Sequence, residues 1–167
     1  MDTQDIILNL NREEINLYNP YYCSIFSYSM ILSYEKYNQG GIDTTVFLLA
    51  LPLIMNKEII LNMPYTSKTT FLTWLDENQW ILVDFDKKIA GFMDVSLITL
   101  RTLLSYDLIT LSKNGKITVN QENKMPSIKA ENKGDSYNLK IKAANIIGKW
   151  FAQNSSPSLF KSFGIQP

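Results

Sequence analysis

The chain has 167 residues, 16 basic and 16 acidic side chains, and a formal charge of zero. It has no histidine, which excludes Ser-His and Cys-His nucleophile pairs, histidine zinc sites and histidine proton shuttles. Its one cysteine, Cys23, rules out an internal disulfide or a thiolate cluster. With 46% hydrophobic residues the chain can fill a substantial core, and with 19% charged residues it leaves a weakly charged surface. No basic n-region opens the chain, and the most apolar stretch, Val46 to Met55, is half of the ~20 residues a bilayer demands. The expected compartment is the cytoplasm.

The zero total hides an asymmetry. Residues 1–18 and 19–112 each carry −3, residues 113–136 carry +2 and residues 137–167 carry +4. A basic last third suits either an acid-facing surface or a lysine-solvated helix face.

The organisation reads as one domain, 1–167. A core spans 19–119, a mobile loop 120–137, and a C-terminal helix with a docking tail 138–167. After a polar lead-in, Asn19-Pro20 predicts a helix with Asn19 as N-cap, running to about Tyr37 and stopping at Gln39-Gly40-Gly41. Its aromatics recur around most of the circumference, so more than one face needs cover. A second helix is expected from Asp43 or Thr44 to Ile54, kinked or broken near Pro52. Met63-Pro64 marks a turn, and Ser67 is the expected cap of a helix carrying Phe71, Leu72, Trp74 and Leu75. Two further helices follow, Trp80 to Ile89 closing at Gly91, then one capped by Asp94 and holding Leu97 to Leu104.

From Leu108 to Val119 the pattern alternates. A three-residue loop with Gly115 left-handed sets Leu111 opposite Ile117 and Ile109 opposite Val119, which collects one apolar face. A hairpin after a run of helices predicts a mainly α fold with a small β-hairpin, laid out like a winged helix-turn-helix. The last helix, about Asn138 to Gln153, gathers Leu139, Ala143, Ile146, Ile147, Trp150 and Phe151 on one side. Pro157 opens a final turn, and Phe160 and Phe163 should dock on this chain or on a neighbour.

Chemistry has little to work with. The pairs Glu13/Glu14, Asp76/Glu77 and Asp84/Asp86 offer carboxylates, but solvation explains each, and they alone support an enzyme reading. Cys23 reads as a buried structural thiol. No metal, cofactor or catalytic residue is expected. A winged fold would put Lys113 and Lys116 at its tip and Arg101 on the preceding helix, as DNA phosphate contacts.

Five strings in order, Asn19-Pro20-Tyr21-Tyr22-Cys23, Phe47 to Ile54, Met63-Pro64 ahead of Phe71-Leu72-Thr73-Trp74-Leu75, Gly148 to Ala152, and Phe163 to Pro167, carry a family resemblance. Their order and spacing resemble the middle component of bacterial three-component ABC systems, including Lamassu-type antiphage and antiplasmid defence. Gln166 stands where that family's ending carries arginine, so an anion contact by the tail is not carried over. The resemblance implies a non-catalytic subunit beside an SMC-like ABC ATPase and an effector, often a nuclease. It would bridge or restrain the effector until foreign DNA is sensed. Interface energy concentrates in aromatic anchors, and the candidates are Tyr21, Tyr22, Trp150, Phe151, Phe160 and Phe163. Each also fits an ordinary core position. A stand-alone winged-helix DNA-binding regulator is the alternative reading.

Overall fold

The computed structural model describes residues 19–64, 66, 68–126 and 134–166. Helix α1, Pro20–Glu35, begins as expected: the Asn19 side chain accepts hydrogen bonds from the amides of Tyr21 and Tyr22, and Pro20 takes the first turn. Three partners explain its unusual all-round apolarity. Helix α7 (Asp135–Gln153) covers one side, helix α6 (Phe85–Ser105) another, and the sheet a third. Cys23, Phe26, Met30 and Ile31 are fully buried between them.

The region expected as one second helix is three short ones after a two-residue strand, β1 (Ile42–Asp43). These are α2 (Thr44–Phe47), α3 (Ala50–Ile54) and α4 (Lys57–Leu61). The break falls at Leu48 and Leu49, one turn before Pro52. That places Pro52 in the first turn of α3, where its missing amide costs nothing, and avoids a clash with the carbonyl four residues back. Sequence reading did not anticipate α4, although Asn56 caps it by accepting from the Ile59 amide at 3.1 Å.

Helix α5, Phe71–Glu77, is capped by Thr70, whose hydroxyl accepts from the Thr73 amide at 3.2 Å. The expected cap, Ser67, lies outside the described residues, as do Glu13/Glu14 and positions 127–133 of the expected loop.

The two helices expected on either side of Gly91 are a 3₁₀ turn, Gln79–Leu82, and one continuous helix, α6. Gly91 costs about 1 kcal/mol in a helix interior. Burial of Phe85, Val95, Leu100 and Leu103 along one face outweighs it. Asp94 is exposed mid-helix and caps nothing.

The hairpin has the expected register. Strand β2 (Ile109–Leu111) pairs antiparallel with β3 (Lys116–Val119), Ile109 opposite Val119 and Leu111 opposite Ile117. Gly115 supplies the positive φ, 73°, that the loop requires. Strand β1 joins the other edge of β3, Ile42 opposite Ile117, for a sheet order β1-β3-β2. Ile42, Ile109, Ile117 and Val119 are buried, while Leu111 remains 45% exposed. The Glu35 carboxylate accepts from the Val119 amide at 2.6 Å and ties the sheet to α1.

Residues 120–126 are held by side chains. Asn123 donates to the Tyr106 carbonyl at 2.8 Å, and the Met125 amide donates to the Tyr28 hydroxyl at 3.4 Å. Helix α7 starts three residues earlier than expected, after Gly134. Helix α8, Ser156–Ser162, returns the chain, and Phe163 stacks on Phe85 with ring centroids 4.7 Å apart. The tail therefore docks on its own chain. Among the described residues no helix is long and apolar enough to cross a membrane.

A candidate protein-docking surface

The fold separates the six aromatic interface candidates. Trp150 is 2% exposed and lies 4.9 Å from Trp74, ring to ring; its indole N–H donates to the Thr69 carbonyl at 2.9 Å. Phe71 links it to Phe163, with centroids 5.8 Å and 5.3 Å away. Phe151 is buried as well, and Phe160 is half-buried against the core. Trp150, Phe151 and Phe163 thus form interior packing in this chain. Their burial comes from the α5, α6 and α8 segments folding over the apolar side of α7.

The first turn of α1 behaves differently. Tyr21 is 63% exposed and meets Tyr106 edge to face, centroids 6.2 Å apart. Tyr106 caps the far end of α6, so the contact also shows that α1 and α6 run antiparallel. Tyr22 is half-buried edge-on to Phe26 at 4.9 Å, and the Lys140 ammonium donates to its hydroxyl at 3.3 Å. That ammonium sits 5.1 Å from the Tyr22 ring, within cation–π range. Nearby, Met55, Ile60, Leu61 and Leu139 floor a cleft of about 290 Å³ with Lys57 and Lys140 in its wall.

Sequence reading missed Tyr106 and the exposed side chains of Leu61, Leu72, Val83, Leu97 and Ile98, all of them more than a third exposed. Helical periodicity marks such residues as apolar, and only the packed neighbours decide which of two apolar faces is covered.

The three DNA-contact candidates also diverge. Lys113 is exposed at the hairpin tip, and Arg101 is exposed on the outer face of α6. Lys116 instead forms an ion pair with Asp43 at 2.8 Å. The Lys116 and Ser156 hydrogen bonds hold the Asp43 carboxyl below the usual carboxylate range. Asp43 therefore joins β1, β3 and the start of α8. Arg101 shares its helix face with Asp94, Leu97 and Ile98.

For titrating chemistry the described residues offer dispersed groups. Asp76, Glu77, Asp84 and Asp86 are exposed, and Asp84 pairs with Lys87 at 2.8 Å. Burial pushes the Cys23 thiol up to about 12, so it remains protonated at neutral pH. Among the described residues no three His, Cys, Asp or Glu side chains converge as metal ligands would.

The model of the family described as ABC-three component (ABC-3C) system Middle Component 3 matches residues 8–167. No curated protein and no solved structure matches the chain.

Proposed function

The chain belongs to the ABC-three component system Middle Component 3 family, and on that premise we propose that it is a non-catalytic adaptor. It bridges an SMC-like ABC ATPase and an effector nuclease in antiphage and antiplasmid immunity. A middle component of a multi-component ABC system has protein partners. The observation that carries the adaptor reading is the exposed Tyr21–Tyr106 pair. Two large rings lie on the surface where rigid helix ends hold them, which is the chemistry of an interface anchor. Aromatic anchors of this kind lose little conformational entropy on docking, because each has only two side-chain torsions to fix. The ATPase would be held through this end of the molecule.

Co-purification from cells expressing the neighbouring genes tests it. Tyr21→Ala with Tyr106→Ala should lose the ATPase while the variant keeps its melting temperature. Retention of the ATPase by that variant, or turnover of substrate by the isolated chain, would reject the reading.

One observation favours the alternative, a winged-helix regulator that binds DNA. The sheet order β1-β3-β2, with a hairpin following a long helix, resembles the winged layout, and Lys113 stands at the hairpin tip, where a wing would meet phosphates. A low-salt mobility shift abolished by Lys113→Ala with Arg101→Ala would support it. No shift would remove it.

A further inference from the structure

Helix α6 has two faces of opposite character. Phe85, Val95, Ser96, Thr99, Leu100 and Leu103 point inward and are buried. Ala90, Gly91, Asp94, Leu97, Ile98, Arg101 and Ser105 share the outer face and are exposed, Leu97 at 38% and Ile98 at 47%. The spacing from 90/91 through 94, 97/98 and 101 to 104/105 alternates three and four, which is the seam spacing of packed helix pairs. At 1.5 Å per residue this seam is about 24 Å long.

Its charge and size pattern is self-complementary. A two-fold axis passing between Leu97 and Ile98 brings Leu97 against the partner's Ile98. It also brings Asp94 against the partner's Arg101, and Arg101 against the partner's Asp94. Gly91 falls opposite the partner's Leu104. Leu104 is half-buried against its own core, so only its outer edge faces Gly91, where no neighbouring atom beyond the helix's own backbone lies within 4 Å of a β-carbon position. Ala90 falls opposite the partner's Ser105, again small against small. Lys87 and Asp84, already paired with each other, lie beyond the seam and add no conflict.

We propose that this face takes a second copy of the same chain, two α6 helices packing antiparallel about that axis. Each ion pair forms twice by symmetry, as an isologous contact demands. One helix pair buries less than the ~1,200 Å² of a standard stable interface, so the dimer forms at micromolar rather than nanomolar concentration and weakens with salt. The proposal is independent of the adaptor reading, because it concerns only contacts between copies of this chain.

Sedimentation velocity on the full chain, from about 1 to 200 µM, tests it. The expected result is a concentration-dependent monomer–dimer equilibrium that Leu97→Glu abolishes without lowering the melting temperature. Asp94→Arg and Arg101→Asp should each be monomeric, since like charges then face each other twice. An equimolar mixture of those two variants should dimerise again, because both ion pairs are restored between unlike copies. A chain that is monomeric throughout, a dimer indifferent to Leu97→Glu, or a mixture that stays monomeric would overturn the proposal. So would a monomer whose Leu97→Glu variant instead loses a different protein.

Discussion

A β-carbon on Gly148 of α7 would stand 2.3 Å from the Met30 carbonyl oxygen of α1 and 2.9 Å from the Ser33 β-carbon. The two central helices therefore meet backbone to backbone, and the Ser33 hydroxyl donates to the Asn145 carbonyl at 2.6 Å beside the same contact. Gly148→Ala should destabilise the fold by about 2–3 kcal/mol, because overpacking against a carbonyl has no flexible neighbour to relieve it. That loss exceeds the ~1 kcal/mol alanine gains as a helix former. Urea denaturation of the variant measures the balance, and a stabilised Gly148→Ala would show that the helices can separate cheaply.

Trp150 separates an interior role from an interface role. Trp150→Phe removes the donor to the Thr69 carbonyl and part of the stack on Trp74. It should cost about 1–3 kcal/mol, and Trp150→Ala about 3–5 kcal/mol. Thermal melts of the isolated chain check this. A Trp150→Phe variant with an unchanged melt but weakened partner binding would assign the side chain to an interface instead.

Asp43 makes stability depend on acid. Its carboxyl is held below the usual range, by the Lys116 hydrogen bond first and by Ser156 second. The folded state thus favours the carboxylate more than the unfolded chain does. The contribution is present above the unfolded value and is lost as pH falls through the folded one. The pair is partly solvent-screened, so Asp43→Asn should cost no more than about 1 kcal/mol at pH 7. Denaturation curves of the two proteins should draw together as pH falls from the ordinary carboxylate value through the lowered one of Asp43. A gap that persists or widens there would mean the aspartate acts through shape rather than charge.

Cys23 should be inert while the chain is folded. It is fully buried, and its thiol is raised to about 12, so thiolate is scarce at pH 8. A disulfide reagent should label it only as fast as the fold opens, and rapidly in denaturant. Fast stoichiometric labelling of the native protein would contradict the burial.

Local features were legible because they are decided within a few residues. Asn19-Pro20 caps and starts α1 without help, and the apolar alternation around Gly115 selects one hairpin register over the other. The mainly helical class and the absence of imidazole chemistry were likewise contained in the letters alone. Tertiary structure decided what depends on distant partners. Ile42 becomes a strand only because Ile117, 75 positions away, offers it an edge. Gly91 stays helical because the buried inner face of α6 outweighs its propensity, and Trp150 is interior because α5 and the tail close over it. Periodicity identifies an apolar face but cannot name its neighbour; which faces end in water is a property of the whole packed chain, and in this protein that distinction leaves Tyr21, Leu97 and Ile98 outside.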